Sequence, residues 1–216
     1  MSGGSGLRFD RFGPGEWLAR RGLASGPEIL FVPPIFEEMN RLRATIAIAM
    51  AMLGDRGFCC TLPDLPGTGE SERPLQDVRW SDWMSMIGAV APHAVMTVAI
   101  RGGTLLDHIP PTGVAWRLAP VTGASLIRDL ERAAHAGGAP LGGYPAAPEL
   151  VEAIRSAEPQ PVSRLRTVRL DTDRGDAELK IRASAMWRRS EPAASHDVAR
   201  IMADDITNWA RACGIC

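Results

Sequence analysis

The chain has 216 residues, a formal net charge of −1 at pH 7 and a hydrophobic fraction of 45%. This composition is that of an ordinary globular domain with a substantial core, and it gives no reason to expect a nucleic-acid partner. The longest smooth apolar stretch, residues 44–53, is about half of the roughly 20 residues that a membrane span requires. Because the amino terminus also lacks a signal-peptide pattern, we predict a cytoplasmic protein with no membrane span.

The chain is predicted to form one domain after a short amino-terminal extension. Residues 1–26 are interpreted as a flexible tail, Met1 to Gly6, followed by a possible edge hairpin within Leu7–Leu23. Glycine and serine are frequent in this tail, as is typical of chain termini. The single domain is then predicted to span residues 27–216.

Apolar, β-rich segments alternate with helical segments in the first half of the domain. Strands are predicted at Glu28–Val32, Phe58–Leu62, Val95–Ile100 and Val114–Pro120. The segments between them are predicted to be helical, with one helix ending near Arg56, one at Trp80–Val90 and one after Ile100. Such alternation calls for a parallel sheet that is covered by helices on both faces.

The alternation is interrupted at residues 121–161, where we predict a small helical lid. Its helices are predicted at Ser125–His135 and Pro148–Ser156, joined by a glycine-rich link. Two further strands, Arg164–Leu170 and Ala177–Ala185, and a closing helix at Asp197–Ala212 complete the domain. The predicted fold class is therefore α/β, with a doubly wound, mostly parallel sheet.

One strand ends in a glycine pair, and the rest of the chain is organised around it. In α/β-hydrolases the corresponding strand–turn–helix carries Gly-x-Ser-x-Gly, a sharp turn that exposes the nucleophilic serine. Here the five positions 99–103 read Ala-Ile-Arg-Gly-Gly. The turn is retained, but Arg101 stands where the serine would be.

Several motifs together resemble the α/β-hydrolase superfamily. Pro33-Pro34 follows a central strand, where those proteins place the loop that binds the oxyanion, and residues 64–71 (DLPGTGES) resemble their D-x-x-G-x-G-x-S loop. Four stretches more narrowly resemble the type-2 hydrolases associated with the exosortase A system: 33–40, 100–103, 119–123 and 187–192. That family lacks the usual serine, and the resemblance implies a hydrolase fold with an accessory role in an exosortase or exopolysaccharide pathway.

Arg101 excludes the serine mechanism at this position. A guanidinium is permanently protonated and has no lone pair with which to attack a carbonyl group. Beside a helix amino terminus it would instead suit an anion, such as a carboxylate or a phosphate. We therefore predict a site for an anionic or acyl ligand, with a set of candidate ligand-binding residues: Arg101, Pro34, Ile35, Phe36, Glu37 and Gly102.

A second interpretation is that Arg101 pairs with a carboxylate of the protein itself and fills the former nucleophile site. The carboxylates available for this pairing are Glu37, Glu38 and Glu191. On this interpretation the protein would be a pseudoenzyme, and a related alternative is an interaction module for a catalytically complete partner.

A third interpretation retains activity through acids and a base near the end of the chain. Asp171 and Asp173 follow the seventh strand of the hydrolase pattern, and His196 follows the eighth, in the order of a hydrolase triad. Glu191 lies nearer the base position of the resembling family. Such an esterase or thioesterase would use water activated by His196 or Glu191, with Arg101 polarising the carbonyl.

Neither a cofactor nor a metal is predicted. Cys213 and Cys216 form an isolated C-x-x-C without a second pair of ligands at zinc-site spacing. They are interpreted as free thiols at a helix end.

Overall fold

The computed structural model describes residues 6–137, 140–189 and 191–215. The predicted tail at Met1–Gly6 lies outside these ranges except for its last residue. Cys216, one member of the carboxyl-terminal cysteine pair, is also outside them. Cys213 is a free cysteine.

The described residues include eight strands and five α-helices. The strands are β1 (Arg8–Arg11), β2 (Trp17–Arg21), β3 (Glu28–Val32), β4 (Cys59–Pro63), β5 (Met96–Ile100), β6 (Val114–Leu118), β7 (Arg164–Leu170) and β8 (Leu179–Ile181). The helices are α1 (Glu37–Asp55), α2 (Trp80–Ala89), α3 (Gly123–Gly137), α4 (Pro148–Ser156) and α5 (His196–Ala212). Within the described residues no helix has the length and apolar character needed to cross a membrane.

All eight strands form one sheet in the order β1-β2-β4-β3-β5-β6-β7-β8. The β1–β2 hairpin occupies one edge, and both β1 with β2 and β2 with β4 pair antiparallel. Every other neighbouring pair is parallel. This topology confirms the predicted α/β class with a mostly parallel, doubly wound sheet.

The helices lie on both faces of the sheet because the central strands are apolar on both sides. In β3, Ile29 and Phe31 belong to the core formed with α1 and α5, whereas Leu30 and Val32 belong to the core formed with α2, α3 and α4. This division follows from the period of two along a strand, which sends successive side chains to opposite faces.

The segment after β5 differs from the prediction. No α-helix forms there; residues Arg101–Leu105 make a short 3-10 turn. Gly103 packs so closely on the end of β3 that a Cβ atom would lie 2.5 Å from the carbonyl oxygen of Val32. Two consecutive glycines also disfavour a helix, because they lose more backbone entropy than other residues.

The last strand is shorter than the predicted Ala177–Ala185. β8 spans only Leu179–Ile181, and a 3-10 turn follows at Met186–Arg188. Ala177 and Glu178 belong to the loop before β8, although the N–H of Glu178 donates to the carbonyl oxygen of Thr167 in β7 at 3.0 Å. Residues 182–185 follow β8 and belong to no strand.

The insertion between β6 and β7 is anchored by a close helix contact. Gly123, the first residue of α3, donates its N–H to the carbonyl oxygen of Ala157 at 2.9 Å. A Cβ atom at Gly123 would lie 1.6 Å from the carbonyl oxygen of Ile154, near the end of α4. The absence of a side chain therefore lets α4 approach the start of α3, and α3 itself lies over the turn at Arg101.

Candidate functional site

The carboxyl ends of the central strands meet beneath α3, and this is the edge at which open α/β sheets bind ligands. Three residues near these ends have positive φ angles although they are not glycine: Phe36 (55°), Arg101 (52°) and Ala119 (48°). Arg101 directly follows β5 and Ala119 directly follows β6. Such strained conformations persist where the surrounding structure fixes them, and they cluster at functional sites.

Arg101 forms a buried ion pair with Glu38 in the first turn of α1. Its Nε and Nη2 atoms lie 2.9 Å and 2.8 Å from Oε1 of Glu38. The two side chains are only 8% and 6% exposed. Charge-assisted hydrogen bonds of this kind are strong and directional, and the surrounding protein excludes water from them.

Two further groups enclose the guanidinium of Arg101. Its Nη2 atom also donates to Oδ2 of Asp129 on α3, at 3.1 Å. On its flat side, the Cζ atom lies 4.9 Å from the centre of the Trp187 ring, a favourable cation–π distance. The protein's own carboxylates therefore neutralise this side chain.

The carboxylate of Glu38 also reaches the backbone of the turn. The N–H of Gly102 donates to Oε2 of Glu38 at 3.4 Å. In a serine hydrolase the N–H after the nucleophile is one of the donors to the oxyanion. Burial raises the pKa of the Glu38 carboxyl, and Arg101 and the Gly102 N–H oppose this shift.

A cavity of about 360 Å³ lies beside Arg101. Most of its lining is polar, with Ala119, Pro120 and Val121 as its apolar residues. Six arginines line it: Arg101, Arg128, Arg132, Arg169, Arg174 and Arg188. Two carboxylates, those of Asp129 and Asp173, also line it.

Asp129 is shared by three of the six arginines. Besides its contact with Arg101, it lies 3.3 Å from Arg132 and 3.7 Å from Arg188. A single carboxylate therefore offsets part of the charge of three guanidinium groups.

The other three arginines have no carboxylate partner within the described residues. Arg128 donates to the hydroxyl of Ser125 at 3.0 Å. Arg169 makes long contacts to backbone carbonyl oxygens, at 3.3 Å and 3.4 Å. Arg174 is exposed and has no side-chain partner in the part of the chain that the structure describes.

The predicted ligand-binding residues divide into two groups. Arg101 and Gly102 lie at the site, although the helix amino terminus expected beside them is replaced by the 3-10 turn. Glu37 faces elsewhere, since it accepts from Arg41 at 3.2 Å and from Asn40 at 3.1 Å.

The remaining three predicted ligand-binding residues are buried. Pro34, Ile35 and Phe36 are covered by protein, and Phe36 packs edge-on against Trp83 with ring centres 5.7 Å apart. Ile35 lies against Gly102 of the turn, and none of the three residues lines the arginine-rich cavity.

The predicted triad residues are not joined to one another. Asp173 lines the cavity, and its carboxylate accepts from the N–H of Leu170 at 3.3 Å. Asp171, Glu191 and His196 are exposed, with His196 the first residue of α5. Among the described residues no hydrogen bond or ion pair links His196 to an acid, so the catalytic roles of these residues remain predictions.

The sequence analysis did not identify most of the cavity-lining residues. Asp129 and Arg128 lie on α3, where a charged pair is typical of any solvated helix face. Arg169 and Arg174 flank the two predicted acids, but no motif marks them. In the ranges that the structure describes, no cluster of three or more His, Cys, Asp or Glu residues is arranged to hold a metal ion.

Comparison with solved structures identifies the fold. Mouse alpha/beta hydrolase domain-containing protein 10 superposes with a TM-score of 0.60 at 14% sequence identity, covering 94% of this chain and 99% of that one. Potato (Solanum tuberosum) epoxide hydrolase I matches with a TM-score of 0.42 at 22% identity, over 52% of this chain and 40% of that chain. An epoxide hydrolase of Vigna radiata matches with a TM-score of 0.41 at 19% identity, over 54% and 39% of the two chains.

The chain matches no protein-family model and no curated protein sequence. The match over nearly the whole mouse protein shows that the domain has the α/β-hydrolase fold. At such low identity the likeness concerns the fold alone, and a shared fold does not determine the function.

Proposed function

We propose that this protein is an α/β-hydrolase-fold protein without serine-hydrolase chemistry, and that it binds an anionic ligand in the arginine-lined cavity. The observation that carries the proposal is the buried pair of Arg101 and Glu38. The arginine stands at the nucleophile position, and the carboxylate lies against the N–H of Gly102.

This arrangement opposes acyl transfer in two ways. Arg101 remains protonated, so it cannot form an acyl-enzyme. The oxygen of Glu38 lies where the N–H of Gly102 would otherwise stabilise a negative oxygen on the substrate. A tetrahedral intermediate would therefore meet a carboxylate in place of a hydrogen-bond donor.

The lining of the cavity favours an anion over an acyl chain. Sites for apolar ligands are lined mainly by hydrophobic and aromatic side chains, whereas arginines dominate this one. Guanidinium groups bind carboxylates and phosphates through paired hydrogen bonds. An anionic group, more than a hydrocarbon chain, matches such a lining.

The biological role follows from the sequence resemblance. The protein would act as a non-catalytic accessory factor in an exosortase or exopolysaccharide pathway. The exposed positions of His196 and Glu191, without partners in the described structure, favour this role over an esterase that activates water.

The chemical half of the proposal is tested with a fluorophosphonate probe and short acyl esters. We expect no stoichiometric labelling and no turnover above background. Labelling of a serine would contradict the proposal, as would ester hydrolysis that disappears in His196→Ala or Glu191→Ala.

The binding half is tested by thermal shift with a panel of small anions. We expect at least one anion to raise the Tm of the wild-type protein, and Arg169→Ala to reduce the shift. Arg200→Ala, on the exposed side of α5, is the matched control and should retain it. If no anion binds, or if both variants lose the shift equally, the cavity is not the binding site.

A further inference from the structure

The hairpin of β1 and β2 leaves one edge of the sheet open. β1 pairs with β2 along one side, and no other strand of the described residues lies along its outer side. An edge of this kind presents backbone N–H and C=O groups that can pair with a strand of another chain. The outer side of β1 is therefore a place where the sheet can be extended.

Large apolar side chains are exposed at this end of the molecule. Phe9 in β1 is 60% exposed, and Leu7 and Leu23, which flank the hairpin at the end opposite its turn, are 46% and 45% exposed. Among the described residues only one other large hydrophobic side chain is exposed, that of Met84 on α2. Directly opposite Phe9 on β2 lies Ala19, whose methyl group is too small to cover a phenyl ring. Apolar exposure that is concentrated in one place indicates an interaction surface.

The hydrogen-bond ladder of the hairpin determines which groups of β1 point outward. The N–H of Phe12 donates to the carbonyl oxygen of Glu16 at 2.9 Å, so residues 12 and 16 form a hydrogen-bonded pair across the hairpin. Such pairs occur at every second position of an antiparallel ladder. Residues 8 and 10 therefore direct their backbone groups to β2, whereas Phe9 and Arg11 direct theirs to the open edge.

The charges of β1 allow a second copy of the chain to pair with this edge in one register. In a closed two-fold dimer the two β1 strands run antiparallel, and the axis passes between two copies of the same residue. An axis at Arg8, Asp10 or Arg11 places like charges directly opposite each other, which is destabilising. An axis at Phe9 instead places each Arg8 opposite an Asp10 of the other copy.

Asp10 is available for this pairing. Its carboxylate lies 3.7 Å from Nε of Arg20 in the same chain, and its side chain is 44% exposed. This distance is longer than a hydrogen bond, so the contact with Arg20 leaves the carboxylate oxygens free to accept from another guanidinium. Arg8 is exposed on the same face of β1, two residues away.

We propose that a second copy of this chain extends the sheet at β1, by antiparallel pairing of the two β1 strands about Phe9. The proposal is independent of the anion-binding function, whose cavity lies at the carboxyl ends of the central strands. In the dimer the two Phe9 residues form a hydrogen-bonded pair, so their rings lie side by side on one face of a continuous sheet. On the other face, Arg8 and Asp10 form two equivalent charge pairs.

Sedimentation velocity of the full chain over a range of protein concentrations tests for the dimer. We expect a particle of twice the monomer mass, whose fraction rises with concentration. Phe9→Lys should weaken the dimer by about tenfold or more, because the two-fold axis brings two lysines together. Met84→Lys, at the exposed apolar residue of α2, is the matched control and should leave the dimer unchanged.

Exchange of charge tests the register. Arg8→Asp and Asp10→Arg each place like charges in both pairs, so each variant alone should associate about tenfold more weakly or worse. An equimolar mixture of the two variants should recover the dimer, because every pair in the mixed dimer joins an acid to an arginine. Both positions lie on the edge strand, and circular dichroism verifies that the variants retain the wild-type fold.

Three results would overturn the proposal. The first is a wild-type chain that stays monomeric at every concentration. The second is a dimer that Phe9→Lys and Met84→Lys affect equally, since the interface would then lie elsewhere. The third is a mixture of the Arg8→Asp and Asp10→Arg variants that associates no better than each variant alone, because Arg8 and Asp10 would then not face each other.

Discussion

The Glu38 carboxylate is enclosed by protein, and the guanidinium of Arg101 stabilises its charged form. A variant that removes its charge leaves Arg101 buried beside the weaker charge compensation of Asp129 alone. We expect Glu38→Gln to lower the free energy of unfolding by about 3–5 kcal/mol, as is typical when one partner of a buried ion pair is removed. Urea denaturation at pH 7 measures this loss.

Its neighbour provides the matched control. Glu37 pairs with Arg41 while 30% exposed, and a pair of this kind contributes about 0–1 kcal/mol. Glu37→Gln should therefore have little effect. Equal losses in the two variants would show that Glu38 and Arg101 do not act as a buried pair.

His108 gives the protein a predictable pH dependence. Burial lowers the pKa of this imidazole below its usual value of 6.5, and the charge of Arg117 lowers it further. Its Nδ1 atom is buried without a hydrogen-bond partner in the described structure. Below pH 6.5 the unfolded chain therefore binds this proton more readily than the folded protein, so stability is lost as the pH falls from 6.5 towards the folded pKa.

We expect His108→Gln to reduce the loss of unfolding free energy between about pH 7 and pH 5. His93→Gln, at an exposed position, is the control for removing an imidazole. Urea denaturation across this range gives the slopes, and identical slopes for the His108 variant and the wild type would contradict the assignment.

At the scale of elements, the junction of α3 and α4 positions the wall of the cavity. α3 carries Arg128 and Asp129, and its first residue, Gly123, has no space for a side chain. Gly123→Ala would push a methyl group into the carbonyl oxygen of Ile154. Since overpacking typically costs about 1–3 kcal/mol, we expect a loss of this size in chemical denaturation.

Gly88→Ala is the control for adding a methyl group to a helix. A Cβ atom there would meet only the Cγ2 methyl group of Ile109, at 3.3 Å, and alanine favours a helix over glycine by up to about 1 kcal/mol. This variant should be neutral or slightly more stable. If Gly123→Ala is equally well tolerated, the close contact does not limit the packing of α4.

The elements that the sequence predicted best are bounded by strong local signals. β3 ends at the Pro33-Pro34 pair, and α4 begins at Pro148, as expected from the restrictions that proline imposes on the backbone. The prediction of a helix after β5 was wrong. The glycine pair at this position is required by the close approach to Val32. That contact joins segments far apart in sequence, so local propensity could not indicate it.

Considered as a whole molecule, the protein has almost no net charge and a strongly positive cavity. The formal charge of −1 means that any attraction for an anion is local to the arginines. We expect the affinity for an anion that raises the Tm of the wild-type protein to fall as NaCl increases from about 0.05 to 0.5 M, since the Debye length shortens from over 10 Å to a few ångströms. Calorimetry at several salt concentrations measures this, and salt-independent affinity would contradict charge-driven binding.

The sequence identified the centre of the candidate site but not its surroundings. Arg101 was found because the turn has a recognisable local pattern. Asp129, Arg169 and Arg174 were not, because they belong to α3 and to β7 and its loop, and they meet only through the strand order β5-β6-β7. Long-range convergence of this kind leaves no period or motif in the sequence.

The contact between Glu38 and Gly102 limits how the site can change by mutation during evolution. Replacing Arg101 by serine would restore the residue type of a nucleophile, but it would leave the Glu38 carboxylate buried and facing the new hydroxyl. Replacing Glu38 first would leave the guanidinium with Asp129 as its only acidic partner. Either order of substitution passes through an intermediate protein of lower stability. The two residues together therefore oppose a return to a serine at position 101.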